Sequence, residues 1–588
     1  MKKNINMKFS HIILAVLLFT LTACEDFLVR KPKDELSPDT YFRTETECQL
    51  FTNNFYTILP AASDFYQEED DYIIPKSLSS KVVGNRTVPT TAGTWNWVML
   101  RQINFFLAHS HQCEDSRVRE KYEALARFFR AYFYFEKVKR YGDVPWVDEP
   151  IDANDKSLYR GRDSRETVME HVLDDIDFAI ENLPSGKDVF RATKWTALAL
   201  KSRIFLFEGT FRKYHGLQGW EECLQEAADA ASKFIKESGY GIYKSGNTPY
   251  QSLFTLAESD RSEVILTRAY KQSLSLVHGA NEVFTSTSST HAGLAKDVVN
   301  MYLMSDGSRF TDKPRYNVLS FYDETQDRDP RLAQTIRTPG YTRMGETELL
   351  APNMAAVTTG YQPIKYVCEK KYDSYQSSEN DMPVFRAAEV YLNYAEAKAE
   401  LGLLTQEDLD ISVNKIRARV SMPALNMDEA NASPDPYLLD AKTGYPNVAK
   451  TEYTGVILEI RRERTVELIL EGFRYWDLMR WKEGKRFERT FYGMRLDGVG
   501  EYDLDKNGSV DFVVYEGTAP SMIQGVAYKE LSELNLSENG NIVLHADIIR
   551  TFDESKDYLY PIPTEDIVLT QGVVKQNPGW DDMDGLDF

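Results

Sequence analysis

The spacing of apolar residues predicts a long, mostly buried helix in the first third of the chain. Between residues 124 and 139 the apolar side chains recur three or four positions apart, as one face of an α-helix requires. They are Leu125, Phe128, Phe129, Tyr132 and Phe133, and Tyr134, Phe135 and Val138 widen this face. Gly142 and Pro145 end the pattern, because glycine suits a helix C-terminus and proline cannot continue the helix.

The same periodicity predicts further helices. They cover residues 166–183, 194–207, 220–236, 387–401, 407–420 and 456–482. Several are joined by short links, and small residues line 394–402 in a pattern that resembles a tetratricopeptide helix. Such helix pairs stack with their apolar faces together and leave a concave surface. We therefore predict a mostly α fold with a tetratricopeptide-like scaffold of helix pairs.

Residues 240–385 and 485–560 have a different pattern. They are rich in Gly, Pro, Ser, Thr and Tyr, and they contain short alternating runs such as residues 264–267. This pattern predicts a loop-rich capping region with short β-hairpins. We expect one body over residues 41–588, with a helical N-terminal half (41–240) and a C-terminal half with long loops (241–588).

The first 40 residues predict export and anchoring. Three lysines precede an apolar run at residues 12–21, which is too short to span a bilayer but typical of a signal peptide. Leu-Thr-Ala-Cys at residues 21–24 resembles a bacterial lipobox, so we expect residues 1–23 to be removed and Cys24 to be acylated. The alternative is an ordinary signal peptide followed by a chance cysteine. Two prolines among charges predict an extended tether over residues 24–40.

Composition excludes several classes of function. Asp plus Glu number 90 against 69 Lys plus Arg, and the net charge of -21 argues against a nucleic acid partner. Mean hydropathy is -0.44, which excludes a polytopic membrane protein. Cys48, Cys113, Cys223 and Cys368 are too widely spaced to indicate a zinc site. Disulfides are permitted outside the cytoplasm but cannot be paired from the sequence, and buried free thiols are the simpler expectation.

The sequence contains no familiar catalytic motif. GxxxxGK[ST], GxGxxG, GxSxG and HExxH are all absent. A pair of carboxylates at glycosidase spacing, about 5–10 Å, would arise by chance among 90 acids. These absences do not disprove an enzyme, but they leave no residue to assign as a catalytic acid or nucleophile. We expect a protein that is not an enzyme and requires no cofactor.

The densest set of charges lies at residues 459–481. Three glutamates recur four residues apart, and two arginines and an aspartate follow three apart, beside two tryptophans; they are Glu463, Glu467, Glu471, Arg474, Asp477, Arg480, Trp476 and Trp481. This segment could form a ligand site. The favoured interpretation is an ion-paired helix seam, because unpaired buried arginines would be too costly.

That segment also resembles the C-terminal signature of the SusD/RagB family. The matching blocks are Arg-Arg-Glu-Arg at 461–464, Glu-Gly-Phe-Arg at 471–474 and Trp-Asp-Leu-Met-Arg-Trp at 476–481. Other blocks agree, including Tyr-Gly-Asp-Val-Pro at 141–145 and Gln-Asn-Pro-Gly-Trp at 576–580. The blocks follow the order of the family from residue 24 to residue 580.

This resemblance implies an outer-membrane lipoprotein that faces the cell exterior. It would bind an oligosaccharide or polysaccharide and deliver it to a SusC-like TonB-dependent transporter. A RagB-like lipoprotein that captures peptides is the alternative, and a surface glycoside hydrolase is a further one. None of the matching blocks identifies the glycan.

The resemblance also places a ligand surface on the loop at residues 81–97. In similar proteins this stretch contributes an aromatic platform and polar partners, so we expect Arg86, Trp95 and Asn96 to contact the ligand. Tyr316 and Tyr322 are candidates for the opposite wall. The alternative is that Trp95 packs in the core, as Trp97 is expected to do.

A candidate calcium loop follows at residues 503–511. Asp503, Asp505, Asn507 and Asp511 offer oxygen ligands at alternating positions, with Gly508 at the turn. Val514 replaces the bidentate glutamate, so a structural Ca²⁺ would need another carboxylate, for example from Glu516. The competing interpretation is a hairpin turned at residues 507–508, because residues 510–515 alternate as a strand does. The two interpretations are compatible.

Overall fold

The computed structural model describes residues 41–151, 155 and 159–580. The predicted signal peptide, Cys24 and the tether up to residue 40 lie outside these residues. Most described elements are α-helices, as the sequence predicts. None of the described helices combines the length and the apolar character needed to cross a bilayer.

The N-terminal half is a succession of packed helices. In chain order they are α1 Glu45–Thr52, α2 Ser63–Tyr66, α3 Ser80–Val83, α4 Val98–His109, α5 Ser116–Tyr141, α6 Arg165–Asn182, α7 Lys194–His215 and α8 Trp220–Glu237. Helix α5 packs against α6, α6 against α7, and α7 against α8. These contacts form the predicted scaffold of helix pairs, because each helix covers the apolar face of its neighbour.

Helix α5 confirms the prediction made from the apolar pattern. It begins after Asp115, whose side chain accepts hydrogen bonds from the backbone N–H groups of residues 117 and 118. It ends at Gly142, which has a φ of 71° and lets the chain leave the helix. Its aromatic residues between these ends are buried.

The C-terminal half contains shorter helices. They are α9 Pro249–Thr255, α10 Ala280–Thr285, α11 Lys296–Met301, α12 Phe321–Glu324, α13 Pro330–Thr335, α14 Ala387–Glu400, α15 Gln406–Ile411, α16 Val413–Arg417, α17 Met427–Ala432, α18 Pro436–Leu439, α19 Thr454–Leu468, α20 Arg474–Arg480 and α21 Thr564–Leu569. Helix α14 packs on α7 and α8, α19 packs on α14, and α20 packs on α7. The two halves therefore share one core.

Short strands make small sheets between these helices. They are β1 Ile73–Ile74, β2 Val264–Arg268, β3 Gly293–Leu294, β4 Met382–Arg386, β5 Phe491–Arg495, β6 Gly500–Tyr502, β7 Phe512–Tyr515, β8 Ala527–Glu530 and β9 Asn541–Leu544. The antiparallel pairs are β1 with β3, β2 with β4, β5 with β9 and β6 with β7, and β8 adds in parallel to β7.

Two predicted helices are interrupted. The predicted helix at 407–420 breaks into α15 and α16 at Ser412, whose φ of -125° and ψ of -97° are not helical. The predicted helix at 456–482 breaks into α19 and α20, because Leu470 and Gly472 have φ of 63° and 80°. A right-handed helix cannot pass through left-handed residues.

Helix α19 is buried along its whole length, although it carries many charges. Glu467 shows how these charges are accommodated. Its Oε1 accepts a hydrogen bond from Arg386 at 2.7 Å and lies 3.1 Å from Arg419, while its Oε2 accepts from Arg331 at 3.2 Å. Since all four side chains are buried, the structure confirms the predicted ion-paired seam.

Candidate functional site

A cleft of about 740 Å³ opens where the two halves meet. We call it the central cleft: residues 57–70 form one side, and α5, α7 and α20 form the others. Aromatic side chains line much of it, including Tyr132, Phe207, Phe473, Tyr475, Trp476 and Tyr560. This volume falls within the range of roughly 300–1,000 Å³ that is typical of small-ligand sites.

Trp476 is one of the aromatic rings that line the central cleft. It is half-buried and stacks on Tyr560, with ring centroids 6.2 Å apart and planes at 22°. Lys139 Nζ lies 4.3 Å from its centroid, and the Arg140 guanidinium lies 5.2 Å away. An apolar ring beside hydrogen-bond donors suits a ligand that has both apolar faces and polar edges.

The cations beside Trp476 share one carboxylate. Glu136 accepts hydrogen bonds from Lys139 at 2.5 Å and from Arg140. Burial opposes ionisation of Glu136, but the two cations outweigh it and hold its pKa at about 2. Burial lowers the pKa of Lys139 to about 8 despite the adjacent Glu136. Two cations against one carboxylate leave this wall positive near neutral pH.

Two buried acids, Glu68 and Asp70, also line the central cleft. Asp70 is 1% exposed; its Oδ1 accepts the backbone N–H groups of Tyr72 and Ile73 at 2.7 Å, while its Oδ2 has no hydrogen-bond partner. Burial and the neighbouring Asp71 raise the pKa of Asp70 to about 6. Burial and Asp70 raise the pKa of Glu68 well above its ordinary value. Both carboxyl groups are buried, and among the described residues neither forms an ion pair.

The loop at residues 81–97 does not present the predicted surface. Trp95 is 3% exposed and packs edge to face against Trp97 and Tyr141, with centroids 5.1 and 4.7 Å away. The structure therefore contradicts an exposed platform at Trp95 and supports the alternative that it packs in the core. Asn96 is exposed, and its Oδ1 accepts the backbone N–H of Val98 at 2.8 Å.

Arg86 is enclosed by the C-terminal segment. Its side chain is 9% exposed, and Nη2 donates to the Asp557 carbonyl oxygen at 2.6 Å. Its guanidinium lies 4.7 Å from the Tyr560 ring centroid and 5.3 Å from that of Trp580. Contact between Arg86 and a ligand stays a prediction, and the structure describes Arg86 as an enclosed side chain. Arg86 instead supports Tyr560, which stacks on Trp476 in the central cleft.

Tyr316 and Tyr322 are half-buried and lie in the C-terminal half. Tyr316 packs edge to face on Phe310 and Tyr437, at 5.8 and 6.4 Å. Lys506 Nζ lies 4.0 Å from the Tyr322 centroid, so this ring faces the candidate calcium loop. Among the ring contacts of the described residues, neither tyrosine meets the loop at 81–97, and a shared wall is not supported.

The candidate calcium loop gathers three carboxylates. Oxygen atoms of Asp503, Asp505 and Asp511 lie within 4.8 Å of one another. Asn507 Nδ2 donates to Asp505 at 3.1 Å, so its amide takes part in the loop's own hydrogen bonds. Burial raises the pKa of Asp511, and the two other aspartates add to this effect.

The hairpin interpretation of this loop is correct in part. Strands β6 and β7 pair in antiparallel register, but Tyr502 faces Phe512, so the link has nine residues and is not a two-residue turn at 507–508. Val514 is buried in β7 and offers no ligand atom. Among the described residues, the group close enough to share an ion consists of the three aspartates and does not include Glu516.

The sequence alone does not locate the central cleft. It allows a ligand site beside Trp476, but the favoured interpretation for that segment is the ion-paired seam, and most of the segment does belong there. The run of four acids at residues 68–71 was a usable indication, because consecutive acids that fold into a core must meet special surroundings. The third component, Tyr560, comes from a distant segment and could not be placed without the fold.

Comparisons with known proteins agree with the architecture. The sequence model of the SusD family matches residues 262–580, and a model described as "Starch-binding associating with outer membrane" matches residues 65–206. SusD-like protein P2 of Formosa agariphila is 23% identical over 605 residues, which cover 98% of this chain and all of the relative. A SusD-like protein of Bacteroides ovatus is 22% identical and covers 96% of this chain and 97% of its own.

Solved structures share the fold. A SusD-like protein from Bacteroides fragilis has a TM-score of 0.68 at 21% identity and covers 94% of this chain and 100% of its own. A SusD-like carbohydrate binding protein from the same species has a TM-score of 0.68 at 22% identity, with coverages of 91% and 99%. These similarities bear out the mostly helical, tetratricopeptide-like scaffold.

Proposed function

The chain belongs to the SusD family, and on this premise we propose that it is a surface protein that captures a glycan without cleaving it. The family assignment rests on a match that spans more than half of the chain. A carbohydrate ligand and an association with the outer membrane both agree with the description of the model that matches residues 65–206. The absence of familiar catalytic motifs supports binding without turnover.

The central cleft is the observation that locates the proposed binding site. Its lining combines the Trp476–Tyr560 stack with the cations Lys139 and Arg140 and the buried acids Glu68 and Asp70. Sugar rings have apolar faces and hydroxyl edges that both donate and accept hydrogen bonds. We therefore assign the glycan to this cleft, with Trp476 in contact with a sugar ring and polar side chains of the lining at the hydroxyl edges.

The proposed setting is the outer face of the outer membrane. The lipobox at residues 21–24 supports acylation of Cys24, and the proline-containing stretch that follows supports a tether. A lipid-anchored capture protein needs a partner that moves the ligand inward, and we propose a SusC-like TonB-dependent transporter for that role. Replacing Cys24 by Ala should release the protein into the soluble fraction, and co-purification of such a transporter with the wild-type protein would support the partnership.

The binding site is tested by replacing Trp476 with Ala. We expect the affinity for oligosaccharides to fall by tenfold or more, because about 1.4 kcal/mol of ring contact corresponds to that factor. Maltoheptaose is the first probe, since a matching family model is described as starch-binding. Trp220 is a half-buried tryptophan at the start of α8, outside the lining of the central cleft, and Trp220→Ala is the matched control.

The outcomes separate the alternatives. Unchanged affinity in Trp476→Ala would show that the glycan binds elsewhere on the surface. Binding of peptides in place of every oligosaccharide in a panel would favour the peptide-capturing alternative. New reducing ends after incubation with the glycan would favour the hydrolase.

A further inference from the structure

A further cavity, of about 300 Å³, lies in the N-terminal half. We call it the anion pocket: it is bounded by α1, the 3₁₀ helix Asn53–Ile58, the N-terminal part of α5 and residues 183–193, which link α6 to α7. The described linings of this pocket and of the central cleft have no residue in common. Tyr56 lines the anion pocket and Thr57 lines the central cleft, so the two cavities approach each other at the 3₁₀ helix.

The lining of the anion pocket is positively charged, although the chain has a net charge of -21. Lys121, Lys187 and Arg191 line it, against the single acid Asp188. The Asp188 carboxylate already accepts the backbone N–H of Phe190 at 2.8 Å. A cavity with more cations than acids attracts anions, because its walls focus the field of the cations inside it.

Two of these cations lack a carboxylate partner. Lys187 Nζ donates to the Gly239 carbonyl oxygen at 2.7 Å, and Arg191 Nη1 donates to the side-chain oxygen of Asn53. Among the described residues, neither Lys187 nor Arg191 forms an ion pair, whereas Lys121 donates to Glu45 at 2.8 Å. Ammonium and guanidinium groups have further N–H donors beyond one such bond. Lys187 and Arg191 are therefore the cations that we expect to contact an anion.

We propose that the anion pocket binds an acidic sugar residue, whose carboxylate or sulfate ester is held by Lys187 and Arg191. Guanidinium and ammonium groups form short, charge-assisted hydrogen bonds with such oxyanions. Both side chains are half-buried, so water would screen these contacts less than it screens fully exposed ion pairs. That the anion belongs to a sugar rests on the proposed function, in which the protein captures a glycan.

The pocket also has the size and the neutral polar groups that a sugar residue needs. Its volume lies at the lower end of the range of roughly 300–1,000 Å³ for small-ligand sites, and it exceeds what a bare inorganic anion requires. Gln49 contributes a side-chain amide. The Tyr56 hydroxyl accepts the backbone N–H of Ala192 at 2.9 Å and keeps its own hydrogen as a donor. Amides and hydroxyls of this kind suit the hydroxyl groups of a sugar.

The ring of Tyr56 is held in place by its neighbours. Phe129 packs edge to face on it, with centroids 4.8 Å apart, and the Arg191 guanidinium lies 5.7 Å from its centroid. The pocket is therefore formed before a ligand arrives. An acidic polysaccharide that occupied both cavities would bind more tightly than a neutral one of the same length, because the second contact would be intramolecular.

The test measures binding of D-glucuronate, D-glucose 6-sulfate and D-glucose to the whole protein by isothermal titration calorimetry. We expect at least one acidic sugar to bind about tenfold more tightly than glucose, and Arg191→Gln to remove about that factor. The sugar that binds identifies the anion as a carboxylate or a sulfate ester. Added NaCl should weaken this binding. Lys233→Gln removes an exposed lysine of α8 outside the lining and is the matched control.

Lys187→Gln is an independent variant, because Arg191 also bonds to Asn53 and its replacement affects the packing there. Equal affinity for the three sugars would overturn the proposal, and so would unchanged affinity in both Arg191→Gln and Lys187→Gln. Inorganic sulfate that bound as tightly as glucose 6-sulfate would overturn the recognition of a sugar.

The central cleft gives a separate readout. Arg191→Gln should leave the affinity for maltoheptaose unchanged, and an equal loss for this neutral probe would overturn the assignment to acidic sugars. Loss of glucuronate binding in Trp476→Ala but not in Arg191→Gln would place the anion in the central cleft and overturn the proposal. Absence of binding to every neutral oligosaccharide would count against the proposed function alone, so the two failures are distinguishable.

Discussion

Helices α5 and α19 are both buried, but their buried side chains are of opposite chemical character. In α5 the inward side chains are aromatic, and Phe129 packs edge to face on Tyr56 with centroids 4.8 Å apart. In α19 the buried side chains include arginines and glutamates that pair with α13, α16 and β4. A helix can therefore be buried when its inward side chains are apolar, and also when its inward charged side chains are paired with opposite charges.

The largest loss of stability is expected when a buried ion-pair partner is removed from α19. Glu467→Ala leaves the buried guanidiniums of Arg331, Arg386 and Arg419 without one of their carboxylates. We expect the free energy of unfolding to fall by about 3–5 kcal/mol. Urea denaturation measures it, with the exposed Glu170→Ala as control. A loss below about 1 kcal/mol would mean that the pairs are individually dispensable.

The loss of stability caused by Glu467→Ala should also depend on pH. Burial opposes ionisation of Glu467, but Arg419, Arg386 and Arg331 hold its pKa at about 2, below the ordinary value of 4.5. A depressed pKa contributes stability above the ordinary value, and that contribution is lost as the pH falls towards the folded-state pKa. The difference between wild type and Glu467→Ala should therefore shrink between pH 4.5 and about pH 2.

Substitution of Asp70 should change stability in the opposite direction, because Asp70 is a buried acid that forms no ion pair among the described residues. Burial and Asp71 raise its pKa from the ordinary 3.8 to about 6, so the cost in stability builds up as the pH rises from about 3.8 to 6 and is absent below about pH 3.8. We expect Asp70→Asn to raise the free energy of unfolding by about 1–2 kcal/mol at pH 8 and to have little effect at pH 4.

The adjacent Asp71 provides a matched control for this prediction. Its carboxylate accepts hydrogen bonds from Arg474 at 2.7 Å and Arg486 at 2.6 Å, and these arginines lower its pKa. Asp71→Asn should therefore destabilise the protein at pH 8. Equal effects of the two substitutions would contradict the contrast between a paired and an unpaired buried acid.

How much the sequence predicts differs between the same two regions. Helix α5 could be predicted from local spacing and from Gly142. The break between α19 and α20 is predictable only in part, because Gly472 is a residue type that ends helices, whereas the left-handed Leu470 carries no local indication in its residue type. The central cleft was also beyond local reasoning, since Lys139, Trp476 and Tyr560 meet only through long-range packing. The ion pairs of α19 were predictable in kind, but their partners were not.

A conservative change in α5 should alter the free energy of unfolding less than Glu467→Ala or Asp70→Asn does. Phe129→Leu keeps an apolar side chain but loses ring contacts to Phe55, Tyr56 and Phe128. We expect a loss of about 1 kcal/mol in the free energy of unfolding. The loss should be the same at pH 4 and pH 8, since no titratable group is removed. A strong pH dependence would show that this aromatic core is coupled to the charged seam.

The smallest expected effect concerns the three aspartates of the candidate calcium loop. Asp503, Asp505 and Asp511 bring oxygens within 4.8 Å of one another, and no lysine or arginine forms an ion pair with them in the described part of the chain. Mutual repulsion favours any cation that can enter, and hard oxygens prefer Ca²⁺. Because the bidentate glutamate is missing, we expect Ca²⁺ to bind weakly.

Excess Ca²⁺ added after EDTA should raise the Tm by about 1–2 °C, since an ion that binds only the folded state must stabilise it. Asp503→Asn should reduce that rise, and Asp497→Asn, an exposed aspartate outside the group, should leave it unchanged. An unchanged Tm in the wild type would assign these carboxylates to the loop's own hydrogen bonds from Asn507 and Gly508, at 3.0 and 2.8 Å from Asp503.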